Sequence, residues 1–132
     1  MNGPMDLRLP PHSVEAEQSV IGSLLISHSA FDRIADVLSD DDFYRDDHRR
    51  IFVHIRKLAE IGKPFDVVSV GESISRSNES DQTGGLPYLI DLANSVASAS
   101  SIKRHAEIIV EHRLRRKLIE ASGDIEAFAH GS

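Results

Sequence analysis

Apolar residues recur three or four positions apart along most of this 132-residue chain, the spacing that places them on one face of an α-helix. The pattern predicts a first helix that runs from a cap at Ser13 to about Ser27. A second helix follows to about Ser39, with Ser29 and Asp32 in the positions of a capping box. No stretch alternates apolar and polar residues for long enough to predict a sheet.

Turn residues divide the middle of the chain into three further predicted helices. An apolar series over residues 51–59 follows a cluster of aspartates and stops at the glycine and proline of residues 62–64. Asp66 is the predicted cap of a short fourth helix. Residues 77–85 contain no apolar side chain and are predicted to be a mobile loop, after which a fifth helix covers residues 86–94.

The last predicted helix, residues 102–128, is the longest. Ile108, Ile109 and Val110 point to three of its sides, so we expect protein to surround this section. Beyond them the apolar residues step by four and three positions, which is heptad spacing. These residues, which we call the seam, are Leu114, Leu118, Ala121, Ile125 and Phe128.

Together the elements predict an all-α fold, a compact bundle of about six helices whose last helix is long and projects from it. Two successive prolines indicate that residues 1–12 form a flexible N-terminal arm. Residues 13–101 then form the globular helical core, and residues 102–130 the long C-terminal helix. That helix extends over some 40 Å at about 1.5 Å per residue, more than so small a core can cover.

Composition narrows the class of protein. Hydrophobic residues make up 40% of the chain and aromatic residues only 5%, which favours an aliphatic, helical core. The absence of Cys excludes disulfides, thiol catalysis and Cys-based metal sites. No apolar run approaches the roughly 20 residues of a membrane span, and the start of the chain lacks the pattern of a signal peptide. We therefore expect a cytoplasmic protein.

No motif for catalysis or for nucleotide binding is present, and we predict no catalytic, cofactor-binding or metal-binding residue. Five aspartates within residues 40–47 match no calcium-binding loop and are more simply read as the acidic start of a helix. His48 and His54 are six positions apart, and His105 and His112 seven, so neither pair has the spacing of a helical zinc site. We interpret them as surface or interface histidines.

Four cations overlap the seam and form what we call the basic cluster. They are Arg113, Arg115, Arg116 and Lys117. Two i, i+4 pairs, Glu111 with Arg115 and Arg116 with Glu120, would compensate much of this charge within the helix. The formal net charge of -6 also opposes attraction to a phosphate backbone. The alternatives are thus a protein interface at the seam and a small helical nucleic-acid-binding protein that uses the basic cluster.

The strength of a seam interface can be estimated from its side chains. Burying four large apolar side chains at roughly 1.5 to 3 kcal/mol each contributes about 6 to 12 kcal/mol. Association costs about 4 to 15 kcal/mol. Self-association through this helix alone would therefore be marginal.

Several ordered strings in the chain, the first of them too long to arise by chance, match one known family. They are PPHSVEAEQSVIG at residues 10–22, DFY at 42–44 with His48 and Ile51-Phe52, GKPFD at 62–66, GGLPYL at 84–89, and residues 99–110 followed by Glu111 and RKLI at 116–119. Together they resemble the N-terminal domain of the bacterial replicative DNA helicase, the DnaB family, over about residues 9–122. Ala97, Ser101 and His105 depart from the Pro, Asn and aromatic residue that are common there, so the entry to the last helix is expected to be set differently.

The resemblance implies a noncatalytic, all-helical domain that caps a ring helicase, pairs with its neighbours into a collar and docks the helicase-binding domain of primase. Exposed parts of the first and last helices would be the partner surface. It further implies a homodimer in isolation, a hexamer in the parent protein, and a helicase loader as another partner.

The same resemblance implies that the parent is an ATP-dependent DNA helicase, located in the cytoplasm with the nucleoid. Its ATP, Mg and most DNA contacts would lie in a C-terminal motor domain that is absent from this fragment. The fragment itself would hold no cofactor. The last helix would be the first arm of a helical hairpin that leads to the absent linker and motor.

Overall fold

A computed structural model describes residues 8–131, which contain helices and turns and no strand. The helices are α1 (Val14–Ile26), α2 (Ala30–Ile34), α3 (Asp46–Glu60), α4 (Val67–Arg76), α5 (Ser80–Thr83), α6 (Gly85–Asn94) and α7 (Ile102–Ala129). A 3-10 turn, Asp40–Asp42, precedes α3. The predicted all-α fold with a long last helix is confirmed, and α5 is additional to the six predicted helices. Within residues 8–131 no helix is long and apolar enough to cross a membrane.

Helix α1 lies at the centre of the bundle, and α7, α6 and α3 pack around it. Val20, Ile21 and Leu24 of α1 are completely buried. The approach to α6 is close because Gly22 has no side chain: a Cβ there would lie 2.4 Å from the carbonyl oxygen of Leu92. The buried core is mainly aliphatic, as the composition predicted.

Two of the three predicted helix caps, at Ser13 and Asp66, are formed. The Ser13 hydroxyl accepts the backbone N–H of Ala16 at 3.1 Å at the start of α1. The Asp66 carboxylate accepts the backbone N–H of Ser69 at 3.2 Å at the start of α4, and hydrogen bonding to Ser69 lowers the pKa of Asp66. Helix α3 ends at Glu60 with Ile61 as its C-cap, and the following Gly62 has a φ of +70°, the left-handed conformation that is common after a helix end.

The prediction for the second helix was wrong in its length and in its cap. α2 ends at Ile34 rather than near Ser39, and Ser29 has helical backbone angles and makes no capping hydrogen bond. The Asp42 carboxylate instead accepts the backbone N–H of Ser39 at 2.8 Å, where the 3-10 turn begins. Leu38 is buried although it lies outside the helix. Apolar spacing therefore did not mark the end of this helix.

The prediction of a loop over residues 77–85 was also wrong, because the segment contains α5. Glu79 lies just before α5, and its carboxylate lies 2.6 Å from the Arg50 guanidinium and 2.6 Å from the His54 ring. Thr83 is buried, and its hydroxyl donates to the carbonyl of Glu79 at 2.9 Å. Polar contacts to α3 hold this segment, so its sequence carries no apolar signal.

The first half of α7 is joined to the body of the domain. Its buried and half-buried apolar residues are Ile102, Ala106, Ile108, Ile109 and Val110. Ile109 is buried, whereas Ile108 and Val110 are half-buried, so the prediction that protein surrounds residues 108–110 holds only in part. His105, which replaces an aromatic residue of the resembled family, hydrogen-bonds at 2.7 Å to Ser19 of α1. This bond ties α7 to the central helix.

Candidate protein interface on the last helix

The second half of α7 extends away from the body of the domain. All residues from 117 to 131 are exposed. The seam is exposed along its length, from 58% at Leu114 and 65% at Leu118 to 69% at Ile125 and 83% at Phe128. Ala121 is exposed between them. A helix surface with several large apolar side chains in water is typical of an interaction site.

The five seam residues share one side of the helix. At about 100° per residue they fall within an arc of about 80°. The buried residues Ile102, Ala106 and Ile109, which mark the direction of the core, centre about 110° from the middle of that arc. The seam therefore faces away from the bundle that holds the helix in place.

The structure separates the members of the basic cluster. Arg115 forms the predicted ion pair with Glu111 at 2.9 Å, and both side chains are exposed. Lys117 is exposed on the projecting part of the helix. Arg113 is half-buried, and its Nε is buried without a hydrogen-bond partner among the described residues. The four cations therefore do not form one continuous surface for a phosphate backbone.

Arg116 has a structural role that the sequence did not predict. It does not pair with Glu120; its guanidinium donates to the carbonyl oxygens of Pro11 at 2.7 Å and Asp42 at 2.9 Å. The same guanidinium lies over the Tyr44 ring, 5.3 Å from its centroid. A long side chain from α7 thus bonds two distant segments whose carbonyl groups no sequence pattern marks.

Tyr44 is the point where these segments meet. Its ring stacks on His12 with the centroids 4.1 Å apart, while Arg116 covers it from α7. Burial and the neighbouring charge of Arg113 lower the pKa of Arg116. Of the predicted N-terminal arm, residues 1–7 lie outside the described residues, whereas residues 10–12 lie against α7 and Tyr44. This junction fixes the place where α7 leaves the body.

A buried carboxylate supports the same junction from inside. Glu17 of α1 is only 1% exposed. It accepts the backbone N–H groups of Tyr44 at 2.6 Å and Arg45 at 3.3 Å, and lies 2.7 Å from Nδ1 of His48. Three donors therefore converge on one carboxylate and hold the segment that precedes α3 against α1.

The interpretation of His48 as a surface or interface histidine was wrong, because its ring is completely buried. Its Nε2 lies 2.7 Å from the hydroxyl of Tyr88, which accepts a hydrogen bond from Gln18 at 3.2 Å. A neutral imidazole fits every partner, because Nδ1–H can donate to Glu17 while Nε2 accepts from Tyr88. Burial raises the pKa of Tyr88 and so favours its protonated form. The chain of bonds joins α1, α3 and α6.

His54 was likewise misassigned to the surface and is 6% exposed. It lies 2.7 Å from the Ser73 hydroxyl and 2.6 Å from the Glu79 carboxylate. The bond from His54, together with the charge of Arg50, lowers the pKa of Glu79. The sequence could not indicate either histidine's environment, since each acidic partner is more than twenty positions away.

The aspartates of residues 40–47 serve ion pairs and helix starts. Asp40 pairs with Arg56 at 2.7 Å, and Asp46 pairs with Arg50 at 2.7 Å one turn along α3. These bonds raise the pKa of Arg56 and lower that of Asp46. Across the described part of the chain, no group of three or more acidic or histidine side chains is placed to hold a metal ion.

Comparison with known proteins identifies relatives of the whole bundle. A family model described as the DnaB-like helicase N terminal domain matches residues 9–111. The replicative DNA helicase DnaB of Pasteurella multocida (strain Pm70) is 41% identical over 117 residues, which cover 89% of this chain. The chain spans only 25% of the length of that relative.

Two solved structures have the same fold. The N-terminal domain of DnaB helicase from Mycobacterium tuberculosis superimposes with a TM-score of 0.90 and 33% sequence identity, covering 93% of this chain and 85% of that one. A DnaB-like replicative helicase, described together with its interactions with primase, gives a TM-score of 0.74 and 30% identity. That match covers 91% of this chain and 28% of the other.

Proposed function

This chain belongs to the family of the DnaB-like helicase N terminal domain, and we propose that it is a noncatalytic assembly domain through which a replicative DNA helicase pairs its subunits and docks primase. Residues 13–101 form the globular core of this domain, on which the first half of α7 packs, and residues 8–12 are the described part of its N-terminal arm. Residues 102–130 lead to the linker and motor of the parent protein, where ATP, Mg and most of the DNA are bound.

The exposed seam is the observation that carries the proposal. Leu114, Leu118, Ile125 and Phe128 are each more than half exposed and lie on one side of a helix. A stripe of this kind on a well-anchored helix gains stability when a second helix covers it. Because the seam faces away from the core, the covering helix comes from a second copy or from the second arm of a hairpin.

The size of the seam suggests how strong the pairing is. Four large side chains contribute about 6 to 12 kcal/mol, a range that overlaps the association cost of about 4 to 15 kcal/mol. We therefore expect two copies of this chain to form a weak dimer whose population rises with concentration. The parent protein, with a full hairpin on each subunit, would pair more tightly and assemble as a hexamer.

Docking of primase is proposed on the surfaces that pairing leaves open. The solved helicase whose structure is described with its primase interactions shares the fold of this chain. In α1 most residues are buried, so its contribution is limited to exposed positions such as Glu15 and Ile26. The exposed faces of α7 outside the seam offer the larger surface.

Titration with the helicase-binding domain of the cognate primase tests this proposal. We expect isothermal titration at physiological salt to detect a complex with that domain. Parallel titration with a 20-nucleotide single strand should detect no comparable binding, because the four cations of the basic cluster do not form one continuous surface for a phosphate backbone. A helicase loader can be added as a third arm.

The rival function would give the reverse result. Binding to the single strand with an affinity that falls steeply as salt rises, together with no complex with the primase domain, would identify a nucleic-acid-binding protein. The variant Lys117→Gln gives a further check, since it removes an exposed cation of the basic cluster without touching the core. It should weaken only nucleic-acid binding.

A further inference from the structure

A groove of about 580 Å³ lies between residues 8–11 and the middle of α7. Leu9, Pro10 and Pro11 form one wall, and Ile119 contributes an apolar side chain from the helix. Leu9 is 71% exposed and Ile119 59%, so the apolar surface of the groove is open to solvent. None of these four residues belongs to the seam.

Two arginines, Arg113 and Arg116, line the same groove from α7. Arg116 donates to two neutral carbonyl groups, and neither Arg113 nor Arg116 lies within ion-pair distance of an acid among residues 8–131. Arg113 also has a buried Nε with no hydrogen-bond partner in that part of the chain. Within residues 8–131, two guanidinium groups one helical turn apart therefore lie beside an apolar wall without an ion pair of their own.

The electrostatics of Arg116 agree with this description. Burial and the positive charge of Arg113 lower its pKa, and Arg49 acts in the same direction. An anion in the groove would offset both effects. Arg8 lines the groove from the wall formed by residues 8–11, and Glu120 lines it from α7.

The groove and the seam occupy opposite sides of α7. At about 100° per residue, the four groove residues of the helix centre roughly 150° from the middle of the seam. These four residues are Arg113, Arg116, Ile119 and Glu120. A second copy bound along the seam would therefore leave the groove open, and its occupant must be a different partner.

We propose that this groove binds a segment of a partner protein that presents an aspartate or glutamate beside an aliphatic side chain. The carboxylate would accept hydrogen bonds from Arg113 and Arg116, a charge-assisted contact that planar guanidinium groups favour. The aliphatic side chain would pack between Ile119 and the wall formed by Leu9 and Pro10. The apolar wall suits such a peptide better than a phosphate backbone, which has no aliphatic group to pack there.

The test uses the ¹⁵N-labelled chain and two synthetic peptides that differ only in charge. One peptide is Ser-Leu-Asp-Leu-Glu-Ser, and the other carries Asn and Gln in place of the two acids. We expect amide shifts from the acidic peptide at Arg113, Arg116, Ile119 and Glu120, and binding at least about tenfold weaker for the neutral peptide. A 20-nucleotide poly-dT strand forms a third arm.

Two variants separate the groove from general electrostatics. Arg113→Gln removes a cation from the groove and should weaken binding of the acidic peptide by about tenfold. Lys117→Gln removes an exposed cation outside the groove lining and should change the affinity for the same peptide less than twofold. Circular dichroism should show the same helix content in both.

Four results would overturn the proposal. These are no amide shifts with the acidic peptide at millimolar concentration, equal binding of the two peptides, an unchanged affinity in Arg113→Gln, and shifts at the groove residues that poly-dT produces at lower concentration than the acidic peptide. The last result would assign the groove to nucleic acid.

Discussion

Replacing Glu17 by Gln changes one atom in a site where three donors converge. The carboxylate accepts from two backbone N–H groups and from His48, and it is 1% exposed. The amide group of Gln keeps one accepting oxygen and places an N–H donor against another donor. The buried site therefore loses a charge-assisted bond and gains an unpaired group, although the shape of the side chain is nearly unchanged.

The expected loss follows from these contacts. A hydrogen bond to a charged group contributes about 1.5 to 3 kcal/mol, and an unsatisfied buried group costs about 1 to 3 kcal/mol. Since the two terms overlap, we expect the free energy of unfolding to fall by about 2 to 4 kcal/mol. For a domain of this size that corresponds to a melting temperature lower by about 10 °C.

Urea denaturation followed by circular dichroism measures this loss. The midpoint should fall while the slope of the transition stays the same, because the folded shape is preserved. Glu15→Gln is the matched control: the residue is exposed in the first turn of the same helix, so its effect should stay within about 0.5 kcal/mol. If Glu17→Gln were no more destabilising than this control, the convergence of donors on Glu17 would not stabilise the fold.

The other stability predictions concern one close contact and one ion pair. Gly22→Ala should destabilise the fold by about 1 to 3 kcal/mol, because the new Cβ would lie 2.4 Å from the Leu92 carbonyl oxygen. Gly123→Ala, with nothing within 4 Å of its Cβ, should stabilise the fold by up to about 1 kcal/mol. Changes in melting temperature with the same sign for both variants would contradict this reasoning. His54 and Arg50 lower the pKa of Glu79 in the folded protein. Glu79 therefore stabilises the fold fully above its ordinary pKa of 4.5, and this stabilisation is lost as the pH falls through the lower pKa of the folded state. Urea midpoints between pH 6 and pH 3 should show a smaller acid-induced loss in Glu79→Gln, and equal losses in both proteins would exclude this role.

The elements predicted well from sequence are those whose signals are local. The cap residues Ser13 and Asp66 stand beside the helices they start, and the glycine at position 62 ends α3 as predicted. The heptad spacing of the seam also required only the positions of apolar residues. Its exposure agrees with the prediction that it needs a partner, but the partner itself stays a proposal.

The elements that were missed depend on contacts between distant segments. α5 has no apolar stripe, and its segment is held instead by Glu79, whose carboxylate contacts Arg50 and His54, 29 and 25 positions away. Arg116 was expected to pair within its own helix, yet it bonds carbonyl groups 105 and 74 positions away. A single sequence does not encode such pairings as a pattern, so only the fold brings these groups together.

Sedimentation equilibrium of the chain and of its Leu118→Glu variant tests the assembly proposal most directly. The seam should give a dimer whose fraction rises with concentration. In Leu118→Glu each copy loses roughly 1.5 to 3 kcal/mol of apolar burial, so a symmetric dimer should weaken at least about a hundredfold while helical circular dichroism is kept. Val68→Glu, at an equally exposed aliphatic residue of α4, should leave the dimer intact. A parent chain that stays monomeric at high concentration, or a Leu118→Glu variant that dimerises as well as the parent chain, would contradict the account.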